Sequence, residues 1–293
     1  MAALVTEDEL RSGTWLTGSY GARYGVCHTG SSIVKFAPAF QSSQEVTAIE
    51  FVRQNCPRIP VPEVLGTWEV TEEDDGDRKG YFAMSVLPGS MLRDAWPTMA
   101  DEEKTTVLDD MATILADLRQ IPVPEEGTTT MIGGVDGIGK AADARAGGSK
   151  FGGPFPTEAD FNDWLVSLIH PDSQQYFSDF YVDTLRTCFS VDSARNHRLR
   201  FTHGDLGMHN FLVQDGRITG LVDWEYAGWY PEYWEYVKMI QFSRDKRFMT
   251  WCQHFWEDDD GSKVSYDREF VVDSMLDSQI RHGHRVARYP RWG

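Results

Sequence analysis

The sequence predicts an α+β chain in two parts, a small strand-rich part over residues 1–87 and a larger, mainly helical part over 88–293. Two observations predict it. Residues 14–36 mix β-branched and aromatic residues with Gly and Ser turns, the composition of short strands, and 63–70 and 80–87 read as two more. Beyond Pro88-Gly89 the apolar residues recur at helical spacing, and strand character returns only in the stretch FTHGDLGMHNFLV and the residues after it.

The chain has 293 residues, of which 41% are hydrophobic and 13% aromatic, enough for a sizeable core. With 28 basic and 45 acidic residues its formal charge is −17, which argues against nucleic acid as a partner because phosphate binding needs a basic face. Cys27, Cys56, Cys188 and Cys252 show no C-x-x-C spacing, so neither a zinc knuckle nor a disulfide framework is expected. The start, MAALVTEDELRSG, does not read as a signal peptide, and no run of about 18 apolar residues suggests a membrane span. A reducing, soluble, cytoplasmic setting is the expectation.

In chain order, TWLTGSYGARYGVCHTGSSIVKF reads as short strands, with Lys35 in the last of them. A helix is expected to start after Ser42 or Ser43, good caps, and to end at PRIPVP, where proline cannot continue it. EVLGTWEV and GYFAMSVL read as two strands joined by the acidic loop TEEDDGDRKG. Thr98 and Asp101 form a capping pair before a helix whose Val107, Leu108, Met111, Ile114, Leu115 and Leu118 share one face. Thr157 and Asp160 repeat the cap before a stripe of Phe161, Trp164, Leu165, Leu168 and Ile169, and residues 174–189 read as a further helix. Between these helices, the glycine-dense residues 131–155 read as a flexible surface loop. Within it GVDGIGKA nearly spells the phosphate-binding pattern G-x-x-x-x-G-K-[ST]. Ala141 offers no hydroxyl there, and no convincing strand precedes it, so Lys140 is read as a decoy.

The chemistry gathers at 203–223. Asp205 and Asn210 stand on one loop, and the Asp215-Gly216 pair favours a type I′ hairpin. That hairpin folds NFLVQ against RITGLVDW and returns Asp223 to the neighbourhood of Asn210. Oxygen side chains of this kind suit Mg²⁺. Phosphoryl transfer needs such ligands, together with a lysine on the phosphates, a carboxylate fixing that lysine, and a carboxylate facing the attacking hydroxyl.

HGDLGMHN resembles the H-G-D-x-x-x-x-N catalytic loop of the aminoglycoside phosphotransferase and choline kinase families, and LVDWE resembles their magnesium site. The longer run HGDLGMHNFLVQDGRITGLVDWEYAGWYPEYWEYVK is most similar to the fungal branch of aminoglycoside-phosphotransferase-like proteins. The resemblance implies a protein kinase-like two-lobe fold, with residues 1–87 as the nucleotide phosphate-binding lobe and 88–293 carrying the catalytic loop, magnesium site and acceptor pocket. It implies Asp205 as catalytic base, Asn210 and Asp223 as Mg²⁺ ligands, and His203 as support of the loop. Lys35 then contacts the ATP phosphates, Glu45 pairs with it, and Met84, Ser85 and Leu87 meet adenine. The glycine pattern G-x-G-x-x-G is absent; GSYGARYG is a loose stand-in. Trp224, Trp229, Tyr230, Tyr233, Trp234 and Tyr236 read equally as acceptor pocket or as core, and Glu225, Glu232 and Glu235 as cation-attracting acids or as surface pairs. His209, His282 and His284 show no metal-ligand spacing and read as surface residues.

The implied function is an ATP- and Mg²⁺-dependent small-molecule kinase acting on a hydroxyl of an aminosugar, an amino alcohol or another metabolite alcohol. The alternative is a catalytically inactive kinase-fold nucleotide- or ligand-binding protein. A protein kinase fits less well, because Gly204 precedes Asp205 and only seven residues separate Asp223 from Pro231, leaving no room for a switch loop.

Overall fold

Strand pairing in the first part of the chain follows from alternation. The computed structural model describes residues 5–20, 22–71, 78–124, 131–136, 139–143, 151–169, 179–193, 197–243, 245–256 and 261–286. Residues 72–77 of the acidic loop, the start of the helix expected at 174–189 and part of 131–155 lie outside them, while Arg78 and Lys79, expected in that loop, begin a strand. Packing divides the chain into two compact units, each made of two segments: Met1–Asp117 with Met208–Ala227, and Leu118–Gly207 with Gly228–Gly293. The composition change at Pro88 therefore does not coincide with a packing boundary.

The first unit opens with helix α1 (Glu7–Ser12), capped by a reciprocal Thr6–Glu9 box. Strands β1 (Thr14–Gly18), β2 (Gly25–His28), β3 (Ile33–Pro38), β4 (Val64–Thr71) and β5 (Arg78–Met84) form an antiparallel sheet in the order β1-β2-β3-β5-β4. One face carries Cys27, Val34 and Ala83, which pack with Val5, Leu10, Trp15, Trp68 and Tyr81. The other receives helix α2 (Ala39–Asn55). The backbones approach so closely there that a Cβ on Gly80 would lie 2.8 Å from that of Ser42.

The sequence places the start of α2 after Ser42 or Ser43, but the helix begins at Ala39, directly after Pro38. Proline ends β3 and leaves α2 without a side-chain cap. Ser42 is instead buried within the helix, and its hydroxyl donates to the Gly80 carbonyl at 2.7 Å. Thr98 likewise does not cap the next helix. It ends a 3-10 turn (Trp96–Thr98) that follows strand β6 (Ser90–Met91) and helix α3 (Leu92–Ala95). Helix α4 (Asp101–Arg119) is closed at its start by Glu103, which accepts from the Ala100 N–H at 2.8 Å. Its predicted apolar face is buried throughout.

The second unit contains β7 (Ala141–Ala142), β8 (Phe151–Gly152), α5 (Glu158–Ser167), α6 (Asp179–Ser193) and β9 (Leu199–Thr202). Strands β10 (Phe211–Gln214) and β11 (Arg217–Leu221) belong to the first unit, and β12 (Gly228–Pro231) to the second, where it pairs with β9. Helices α7 (Trp234–Phe242), α8 (Lys246–His254) and α9 (Asp267–Val286) complete it. Thr157 caps α5 as predicted, accepting from the Asp160 N–H at 3.1 Å. The described part of 131–155 is no loose loop. Ile132 pairs with Phe155, Gly133 with Trp229, and β7 with β8, while Ala141, Ala142 and Asp143 are buried. No described helix is long and apolar enough to cross a membrane.

His197 ties this unit together. Its Nδ1 lies 3.0 Å from Glu158 on α5 and its Nε2 3.4 Å from Glu269 on α9. Burial opposes the charge, but the two carboxylates outweigh it and raise the imidazole to about 9. A raised histidine contributes stability that is fully present below its ordinary value of 6.5 and is lost as pH climbs through about 9. Wild type therefore loses on the order of 2–3 kcal/mol from this group across that window, and His197→Gln flattens the loss. Urea denaturation of both proteins from pH 6.5 to 9.5 checks it; parallel curves contradict it.

Candidate functional site

Side chains alternate across a strand. Lys35 on β3 stands opposite Val26 on β2 and Phe82 on β5, and points to the α2 side of the sheet. There its ammonium meets Glu45 of α2 at 2.8 Å, Asp223 at 2.6 Å and Glu225 at 3.3 Å. Glu45 is almost wholly buried. Burial works against the charge on Lys35, but Asp223, Glu45 and Glu225 together hold its value well above that of an ordinary lysine. Burial pushes Glu45 up, and Asp223 and Glu225 add to this against the pull of Lys35. One cation thus faces three carboxylates, whose oxygens lie within 4.8 Å of one another. An all-oxygen set of this density suits a hard divalent cation.

The hairpin delivers Asp223. Gln214 pairs with Arg217 around Asp215 and Gly216, both at positive φ (52° and 71°), as a type I′ turn requires. Phe211 then lies opposite Leu221, and the Val222 N–H donates to the Asn210 carbonyl at 3.0 Å. The hairpin is fastened by Arg217 to Asp110 with two 2.8 Å bonds, and by the Leu221 N–H to the Pro60 carbonyl at 2.9 Å. Asp223 itself has φ 68°, a left-handed backbone that costs energy in a residue other than glycine. Asn210 is buried beside this hairpin.

In the second unit, β9 leads into His203, Gly204 and Asp205. His203 is fully buried, and its Nδ1 accepts from the Asp205 N–H at 3.3 Å. The Gly207 N–H donates to the Asp205 carbonyl at 2.8 Å, tightening the turn. Beneath it sits Glu235 of α7, 3% exposed, accepting from the His203 N–H at 2.6 Å and from the Gly204 N–H at 3.3 Å. Burial raises its carboxyl to about 7 against these bonds, and the Asp205 charge adds to the rise.

The profile of a phosphotransferase enzyme family matches residues 23–269. The chain belongs to that family. No curated protein sequence matches it. Among solved structures it is similar to the streptomycin–ATP ternary complex of APH(2")-IIa, with a TM-score of 0.62 at 13% identity over 94% of this chain and 92% of that one. The GDP and kanamycin complex of APH(2")-IIIa gives 0.60 at 14% over 94% and 92%. A thermostable aminoglycoside phosphotransferase APH(4)-Ia gives 0.56 at 17% over 93% and 94%. At such identities the likeness establishes a shared kinase-like α+β fold.

Within this phosphotransferase-family chain, Met84 ends β5 and is buried, while Ser85 and Leu87 lie in the connection that follows. The Ser85 N–H donates to the Glu63 carbonyl and its hydroxyl accepts from the Glu63 N–H, both at 2.9 Å. At the P-loop lookalike, the Gly134 N–H donates to the Gly139 carbonyl at 2.8 Å and the Gly139 N–H to Asp136 at 2.6 Å. Lys140 is exposed. His209 is half-buried rather than a plain surface residue, and His282 and His284 fall outside the described side chains.

The three acids grouped in the sequence have separate inward tasks. Glu225 joins Lys35, Glu232 lies 3.9 Å from Arg119, and Glu235 holds the 203–204 backbone. The six aromatics are core, none more than 3% exposed. Sequence reasoning therefore missed Glu235, because an acid after two aromatics on a helix reads as surface. The available signal was its setting, Trp234-Glu235-Tyr236-Val237, with apolar residues on both sides.

Proposed function

We propose that the protein is an ATP- and Mg²⁺-dependent phosphotransferase that moves the γ-phosphate to a hydroxyl of a small molecule. The observation that carries this reading is the meeting of Lys35, Glu45 and Asp223, residues from a strand, a helix and a hairpin, of which the first and last are 188 positions apart. In this reading residues 1–87 hold the nucleotide, and 88–293 supply the catalytic loop, metal ligands and acceptor site. Lys35 binds the α- and β-phosphates and Glu45 orients it. Met84, Ser85 and Leu87 line the adenine position. Asn210 and Asp223 supply oxygen ligands for Mg²⁺, whose chemistry when bound is to neutralise charge on the phosphates. Asp205 orients the acceptor hydroxyl and takes up its proton. His203 and Glu235 hold the loop that carries it. Nucleotide and aminoglycoside complexes among the fold neighbours support the class of reaction. The four free cysteines accord with a reducing, cytoplasmic setting.

An ATP-consumption screen against hydroxylated metabolites, run on wild type, Lys35→Ala and Lys140→Ala, tests it. With the acceptor found, Lys35→Ala raises KM for ATP and lowers kcat, for a combined loss of about 10²-fold or more in kcat/KM, while Lys140→Ala stays within about twofold of wild type. An inactive Lys140→Ala beside a normal Lys35→Ala sinks the assignment.

A further inference from the structure

The turn between β1 and β2 lacks the glycine pattern of a kinase phosphate loop, and Lys79 supplies what that pattern does not. We propose that Lys79 is a positioning residue for this turn: from the sheet face opposite Lys35, it fixes the turn as a cover for the nucleotide phosphates. The proposal rests on the function given above.

On β5, Lys79 stands opposite Pro38, Tyr81 opposite Phe36 and Ala83 opposite Val34. These residues alternate with Gly80, Phe82 and Met84, so Lys79 lies on the face away from α2. It is only 6% exposed. Its ammonium passes 5.8 Å from the Phe36 ring and donates to the Ala22 carbonyl at 2.8 Å. Ala22 belongs to the β1–β2 turn, where its N–H donates to the Ser19 carbonyl at 3.0 Å. The same turn is gripped a second time from α1, where the Arg11 guanidinium lies 4.1 Å over the Tyr20 ring. Four residues after Ala22, Val26 pairs with Lys35, so the turn leads straight into the row that carries the phosphate lysine.

A buried ammonium is a costly way to fill an aromatic layer, and an apolar side chain of the same length would fill it without stripping water from a charge. What the ammonium adds is a directed, charge-assisted bond to one backbone carbonyl. A glycine-rich loop adapts to phosphate through its own freedom. A turn carrying Tyr20, Arg23 and Tyr24 has less of that freedom and is set in place from outside.

Lys79→Met keeps the stem and removes the donor, and Lys79→Arg keeps a donor. Calorimetric titration of full-length protein with Mg²⁺–ATP and with adenosine, alongside hydrogen exchange of the turn amides, decides the matter. The expected result is faster exchange at the turn, an approximately tenfold weaker affinity for Mg²⁺–ATP, and unchanged affinity for adenosine in Lys79→Met, with recovery in Lys79→Arg. Equal losses for ATP and adenosine, or a loosened turn with ATP affinity intact, make Lys79 a structural residue and overturn the proposal. Unchanged exchange overturns it as well. Wild type that binds no Mg²⁺–ATP defeats the function itself, while the exchange comparison still shows whether Lys79 holds the turn. Should Lys79→Met not fold, Lys79→Leu, which also lacks a donor, is read by the same criteria.

Discussion

Asp205→Asn retains its affinity for Mg²⁺–ATP within about threefold of wild type while kcat falls by about 10²- to 10⁴-fold, the range for a lost acid–base group. The substitution is nearly isosteric, and the bonds that shape the loop come from backbone: Asp205 N–H to His203, Gly207 N–H to the Asp205 carbonyl, and the His203 and Gly204 N–H groups to Glu235. An amide in place of the carboxylate leaves all of them intact. It also removes a charge that bears on the neighbouring Glu235. On the proposed function, what disappears is the acceptor for the substrate proton. Calorimetry with Mg²⁺–ATP and steady-state turnover are the two measurements; loss of nucleotide binding in this variant reverses the assignment.

Asp223→Asn behaves differently, weakening Mg²⁺-dependent nucleotide binding itself by about tenfold or more as well as turnover. Asp223 is 2.6 Å from Lys35 and belongs to the oxygen cluster with Glu45 and Glu225. Replacing it removes one of the three negative charges around Lys35 and, on the proposed function, one of the two oxygen ligands for Mg²⁺. Asparagine tolerates positive φ at least as well as aspartate, so the backbone at 68° is kept and the effect reads on charge alone. Titrating Mg²⁺ at fixed ATP separates the two variants. Normal Mg²⁺ dependence in Asp223→Asn removes it from the metal site.

The features legible in the sequence were those with local causes. The Asp215-Gly216 turn needs only its own φ preferences, the Thr157 cap only its neighbour three residues on, and the apolar face of α4 only helical period. The site lysine, its glutamate and Asp223 were legible through resemblance, since nothing local distinguishes Lys35 from any lysine in a half-buried strand. The failures depended on distant partners. Ser42 looked like a cap because its bond to Gly80 crosses 38 residues. The glycine-dense stretch looked loose because pairing of Gly133 with Trp229 bridges nearly a hundred. Glu235 was not recognised as a support of the loop, and Lys79 was placed in an acidic loop, because their partners are backbone groups, which carry no sequence signature.

Lys35 and Asp223 bond across 188 residues, and the first unit is closed only when Met208–Ala227 joins Met1–Asp117. At about 5–20 residues per second of translation, roughly 10–40 s pass between the emergence of one partner and the other. Once Met84 has been made, and for the rest of that interval, the nascent chain holds β1 to β5 and α2 but lacks β10, to which β6 pairs, and two of the three carboxylates around Lys35. The first unit is thus not a module that matures as it is made. Its order of assembly is set by the ribosome's arrival at a hairpin in the last third of the message, and contacts of such long range make the final closure slow.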